Sequence, residues 1–169
     1  MDPAVNIRAA EMGDASAIAE IYNHYVLETT ATFDMTPKSP QEHAAWIAKR
    51  DAAYPVLVAE TGERVVAWGA LSAWAQREAW RHTVEVSVYV ELHWRGKGIG
   101  RALLEELLKR AASAGHHAVI SQIVSENEAS LRLARSMGFE QVGTLREVGR
   151  KFDRWLDVIL MEKILPEDG

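Results

Sequence analysis

The sequence predicts a mixed α/β (α+β) fold, with helices packed on a sheet that is mainly antiparallel early in the chain. Three observations carry this. Period-two runs joined by a short turn fill residues 54–90, a glycine turn at 95–100 links the cleanest of those strands to the most strongly striped helix, and two strands close the chain after a short capped helix.

Val5 to Arg8 reads as the first strand. Asp14 then stands where an N-cap belongs, ahead of a helix whose Ile18, Ile21, Tyr22, Tyr25 and Val26 recur at the spacing of one helical face. After a loop from Thr29 to Ser39, Pro40 opens a second helix in the first turn, where its missing N–H costs nothing, and Trp46 and Ile47 point to the core. Pro55–Ala59 and Val65–Ser72, joined by Thr61-Gly62-Glu63, form a hairpin. Thr83 to Val90 alternates without a break, with Val84, Val86, Val88 and Val90 on one face and Thr83, Glu85, Ser87 and Tyr89 on the other. The next helix turns Ile99, Leu103, Leu104, Leu107, Leu108 and Ala111 inward, carries Lys109 and Arg110 near its negative end and stops at Gly115. Ala118–Val124 is a buried strand. Asn127 caps a helix with Leu131 and Ala134 inward that ends at Gly138, and Phe139–Val148 and Trp155–Glu162 are the last strands.

Composition excludes several functions. The 169 residues, 48% hydrophobic and 25% charged, suit one globular domain over 1–169. Nineteen Lys and Arg against 24 Asp and Glu leave a net charge of −5, which argues against nucleic acid as a partner. With no cysteine there is no disulfide, thiolate metal site or cysteine nucleophile. Met1-Asp2-Pro3-Ala4-Val5 has no leader pattern and no apolar run is long enough to span a bilayer, so a cytoplasmic protein with no membrane partner is expected. No metal is expected either: adjacent His116 and His117 on an extended chain point to opposite faces and cannot chelate one ion. Glu105 and Glu106 read as a solvated helix face, and Trp68 as core.

Two places carry chemistry. Arg95-Gly96-Lys97-Gly98-Ile99-Gly100-Arg101 lies between a strand and a helix, so unpaired N–H groups and the positive helix end converge where glycines leave room for an anion. Arg95, Lys97 and Arg101 add positive charge in an acidic protein. A Walker A loop is excluded because Arg101-Ala102 follows Gly100, and the spacing fits a dinucleotide fingerprint poorly. The alternative is a tight connection that merely needs glycines. Glu85 is the second place, an ionisable residue in a valine-rich strand. It reads as a general base tuned by partial burial, or as a solvated group or a salt bridge to Arg81.

At these residues the sequence resembles the GNAT superfamily of acetyl-CoA-dependent N-acetyltransferases. Arg95 to Gly100 resembles its pyrophosphate-binding signature, and Asn127 with Met137-Gly138-Phe139 resembles a later motif. Ile21-Tyr22-Asn23, Thr29-Thr30-Ala31, Tyr54-Pro55, Thr83–Val90 and Lys151–Asp157 are similar to the phosphinothricin and methionine sulfoximine acetyltransferase branch. The resemblance implies a GNAT-like fold: a splayed, mostly antiparallel central sheet of about seven strands with helices on both faces. It also implies acetyl-CoA as co-substrate, a small-molecule amine as acceptor, and a homodimer. The cofactor's pantetheine arm would lie between Thr83–Val90 and Ala118–Val124 and pair with the main chain of Val88, Tyr89 and Val90. Gly96 to Arg101, with Arg95, Lys97, Gly98, Ile99 and Gly100, would hold the pyrophosphate, and Asn127 would contact the cofactor beyond it.

Glu85 would take the place of the family's catalytic glutamate and accept a proton from the substrate ammonium, with the Val88 N–H stabilising the oxyanion. Trp74, Arg77, Arg81, Val86 and Ser87 complete the implied substrate side, Arg77 or Arg81 pairing with a substrate carboxylate. The chain departs from the branch in several places. The arginine and aromatic expected around residues 75–77 are absent, with Ala75 and Arg77 in their positions. Val86 stands where His is common, and Ala134 where His or Tyr is common. Another amine as acceptor, at a protein N-terminus or on an antibiotic, and an acyl-CoA-binding sensor without turnover are the alternatives.

Overall fold

The two faces of the sheet bury their stripes against different pairs of helices, which is why the elements form a layered structure. The computed structural model describes residues 4–167; Met1 to Pro3, part of the stretch read for a leader, and residues 168–169 lie outside them. Among the described residues the chain runs β1 (Val5–Ala9), α1 (Ala15–Glu28), α2 (Pro40–Ala48), β2 (Val56–Thr61), β3 (Arg64–Ala73) and β4 (Thr83–Val90). It continues through α3 (Ile99–Ser113), β5 (Ala118–Val124), α4 (Glu128–Ser136), β6 (Glu140–Lys151) and β7 (Arg154–Ile164). The seven strands form one sheet in the order β1-β2-β3-β4-β5-β7-β6. Every neighbouring pair is antiparallel except β4 and β5.

Alternation along the strands divides the core in two. Leu57, Leu71, Val84, Val86, Val119 and Ile123 pack on α3 and α4, while Val56, Val58, Trp68 and Ala70 pack on α1 and α2. The six apolar residues assigned to α3 are those it buries. That helix lies so close to β3 that a Cβ at Gly69 would sit 2.8 Å from Leu107 Cδ1 and 2.9 Å from the Ser87 carbonyl oxygen.

Two local readings change. Asp14 is the N-cap of α1 but its side chain makes no cap hydrogen bond. Its carboxylate instead accepts from Arg8 Nη1 at 2.8 Å and from the Glu11 N–H at 2.7 Å, tying a single 3₁₀ turn to β1. The last two strands reach Lys151 and restart at Arg154, because Phe152 (φ 52°) and Asp153 (φ 57°) close a two-residue turn with both central residues left-handed.

Candidate active site

β4 and β5 pair at Thr83–Ala118, Val84–Val119 and Glu85–Ile120, and beyond Glu85 they part. β5 stays bound to β7 from Ala118–Ile164 to Val124–Val158, so the gap opens on its β4 side. The gap leads into a cleft of about 780 Å³. Val86 to Val90, Tyr25, Thr29 and Thr30 line one side; Ser121 to Val124, Glu126, Asn127, Leu133 and Ala134 line the other; Arg95, Gly96, Gly98, Gly100 and Arg101 lie at one end.

Main-chain groups explain what the β4 wall can bind. The Tyr25 hydroxyl donates to the Val90 carbonyl at 2.6 Å and accepts from the Val90 N–H at 3.1 Å, so both Val90 groups face the cleft and both are occupied. Glu91 N–H donates to Val66 of β3, and main-chain groups alternate sides along a strand, so Tyr89 also faces β3. Val88 faces the cleft beyond the last β5 pair. Of the stretch expected to pair with an extended arm, Val88 alone offers its main chain: Tyr89 is committed to β3, and Val90 to Tyr25.

The glycine turn has a backbone that can take an anion at the start of α3. Gly96 (φ 74°) and Gly98 (φ 81°) adopt a left-handed backbone that favours glycine. Gly98 is the N-cap of α3 and has no side chain to satisfy the N–H groups of the first turn. At Gly100 a Cβ would stand 3.5 Å from Val90 Cγ2 and 3.7 Å from Leu133 Cδ2, ordinary contacts. The protein's own packing therefore does not require glycine there, and its absence of side chain keeps the wall open. The donor set suits a diphosphate.

Arg95 reaches the cleft with its guanidinium carbon 4.7 Å from the Tyr25 ring centre. Arg101 is also on the wall, with Nη1 3.3 Å from Ser136 Oγ. Lys97 is not: its ammonium lies 4.7 Å over the Trp94 ring. The Ile99 side chain is buried in the core. Asn127 lines the cleft while its Oδ1 accepts from the Ser130 N–H at 3.2 Å as the cap of α4.

Glu85 is half-buried on the α1 and α2 side of β4, at the last paired residue. Its Oε2 accepts from Gln122 Nε2 at 3.0 Å, and Gln122 lines the cleft. Burial pushes the Glu85 carboxyl above its ordinary range, and the Gln122 hydrogen bond offsets part of that rise. No bridge to Arg81 forms; Arg81 points to Glu78 at 4.0 Å. On the implied substrate side, Val86 and Ser87 line the cleft, whereas Trp74, Arg77 and Arg81 do not, and both arginines are exposed. Ala134 is a buried cleft residue. His116 is buried, with Nε2 2.7 Å from the Ala53 carbonyl oxygen, and does not meet the exposed His117.

Sequence reasoning missed Tyr25, Gln122, Thr30 and Glu126. Tyr25 was assigned to the core face of α1, and Gln122 stood as a polar residue in a strand read as buried. That polar interruption was the available signal.

Residues 7–160 match the family described as acetyltransferase (GNAT) domain. The chain is 42% identical to the L-amino acid N-acyltransferase MnaT of Escherichia coli strain K12 over 96% of this chain and 95% of the relative. It is 40% identical to the L-methionine sulfoximine/L-methionine sulfone acetyltransferase of Salmonella typhimurium, over 96% of both. A phosphinothricin acetyltransferase of the GNAT superfamily from Sinorhizobium meliloti, solved in complex with acetyl-CoA, superposes with a TM-score of 0.91 at 37% identity, covering 95% of this chain and 88% of that one.

Proposed function

The chain belongs to the GNAT acetyltransferase family and is an acetyl-CoA-dependent N-acetyltransferase; from that premise we propose that it acetylates the α-amine of a small amino-acid-like acceptor. Phosphinothricin, methionine sulfoximine and methionine sulfone define the acceptor type, and the amine attacks directly in a ternary complex. Bound acetyl-CoA supplies the acetyl thioester. The N–H groups at the start of α3, with Arg95 and Arg101, hold its diphosphate, and Asn127 touches the cofactor beyond it. Glu85 accepts a proton from the acceptor ammonium, directly or through water, because only the neutral amine attacks. The Val88 N–H donates to the carbonyl oxygen as negative charge builds there. Val86 and Ala134 carry no proton for the departing thiolate; water can supply it, since a thiolate is a good leaving group. Arg77 and Arg81, exposed and off the cleft wall, have no part in this reading.

One observation carries the reading: a half-buried carboxyl, raised by burial, sits at the last β4–β5 pair and is linked through Gln122 to the cleft. The test follows free thiol released from acetyl-CoA with a panel of amino acids, peptides and aminoglycosides, for the wild type and Glu85→Gln. Release with amino acids that Glu85→Gln abolishes supports the proposal. Release with peptides or aminoglycosides alone moves the acceptor to another amine, and tight binding without acceptor-driven release makes the chain a sensor. The homodimer belongs to the same proposal. Val142, Leu145, Val148 and Trp155 on β6 and β7 are exposed and apolar, which favours it, and light scattering tests it.

A further inference from the structure

Beyond Glu85 the cleft walls belong to different halves of the sheet, and hydrogen bonds join them at the root and at the far end. At the root Gln122 Nε2 donates to Glu85 Oε2 at 3.0 Å. At the far end Thr30 Oγ1 donates to Glu126 Oε1 at 2.5 Å. Thr30 is 8% exposed and follows α1, which is fastened to β4 through the Tyr25 hydroxyl. Glu126 follows β5. Arg154, the first residue of β7, grips the same carboxylate through Nη1 at 2.6 Å and Nη2 at 2.7 Å.

We propose that Thr30, Glu126 and Arg154 form a tie that holds the two sheet halves at the spacing an extended ligand arm requires, which makes them positioning residues for acetyl transfer. The proposal rests on CoA lying in this cleft. Sheet pairing cannot set that spacing, because β4 and β5 have no pair past Glu85 and Ile120. A two-pronged, charge-assisted pair fixes direction as well as distance, and Thr30 extends its grip to the opposite wall. Arg154 holds the Glu126 carboxyl down to about 2, so the tie stays ionised in mildly acidic as well as neutral solution. With both terminal nitrogens on Glu126, Arg154 is a strut and not a free cation for an acceptor carboxylate.

The test is equilibrium titration of CoA and of ADP into the wild type, Arg154→Met, Arg154→Lys, Thr30→Val and the Thr30→Val/Arg154→Met double variant. CoA spans the cleft, whereas ADP carries only the diphosphate end that the glycine turn holds. Arg154→Met is expected to weaken CoA by about fivefold, the effect of losing one partly exposed ion pair. ADP affinity stays at its wild-type value, and Arg154→Lys recovers part of the CoA loss. The double variant loses less than the product of the single losses, because both partners act through one carboxylate. Equal loss for CoA and ADP, or no loss for CoA, overturns the tie and leaves the proposed function standing. Failure of the wild type to bind CoA overturns both.

Discussion

Replacing Glu85 with Gln keeps the side chain's shape and an oxygen for the Gln122 Nε2 contact at 3.0 Å, and removes only the proton acceptor. Turnover is therefore expected to fall by roughly 10²–10⁴, the contribution of a positioned general base, or about 3–5 kcal/mol of barrier. CoA affinity should hold, since Glu85 is off the cleft wall. Burial raises the Glu85 carboxyl, so the wild-type kcat/KM should climb with pH along a limb displaced above the ordinary glutamate range, and the variant should lose that limb. The same shift fixes the sign of a stability effect. An acid with a raised folded pKa binds more protons folded than unfolded, so the wild type loses stability as pH rises from the unfolded value through the folded one. Glu85→Gln escapes that loss: its Tm at pH 8 should exceed the wild type's, and the advantage should vanish below the ordinary carboxyl range. Thiol release and thermal denaturation at several pH values measure both. Wild-type turnover in the variant would refute the base assignment, and a lower Tm at pH 8 would refute the burial argument.

Gly100→Ala should separate ligand binding from folding. The added Cβ makes ordinary contacts and the helix gains up to about 1 kcal/mol, so Tm should hold or rise while CoA affinity drops in titration. Unchanged affinity would put the diphosphate elsewhere. Tyr25→Phe leaves the Val90 N–H without its partner and the Val90 carbonyl with only Arg95 Nε at 3.4 Å, which should lower stability in urea by about 1–3 kcal/mol and weaken CoA binding; a neutral variant would mean that Tyr25 does not hold β4 at the cleft. At Gly149 a Cβ would fall on the outer atoms of the Phe33 ring, which is 40% exposed and can swing aside, so Gly149→Ala should cost no more than about 1 kcal/mol, read as a small drop in urea midpoint; a larger drop would mean that the ring is held in place.

The parts of the fold that follow a strict period were legible. The bounds of Thr83–Val90 and Ala118–Val124 and the buried stripe of α3 are as the sequence predicts, because each residue's face is fixed by its neighbours. The glycine turn was legible for a different reason: backbone conformation at Gly96 and Gly98 is a local property. What failed depends on distant partners. Tyr25 has helical spacing suited to the core, yet its hydroxyl is used by Val90, 65 positions later. Glu126 and Arg154 lie 28 positions apart on segments that only the sheet order brings together. The β6–β7 connection between Val148 and Trp155 is tighter than the sequence implies, because Phe152 and Asp153 adopt positive φ with no glycine to announce it.

The site's location follows from an unfinished sheet. A sheet continuous from β4 to β5 would pair every main-chain group and leave nothing for a ligand, whereas parting strands strand N–H and carbonyl groups that must find partners. The chain supplies such a partner at Val90, where one phenolic oxygen both donates and accepts, and supplies none from β5 at Val88. A ligand with an amide-bearing arm can complete the ladder there, while its anionic end reaches the N–H groups of α3 that Gly98 leaves uncapped. Glu85 stands where pairing stops. On the proposed mechanism the last closed rung of the sheet would carry the base, and Val88, beyond the last pair, would carry the donor for the developing charge, so that one structural event, the parting of two strands, would set both groups in register.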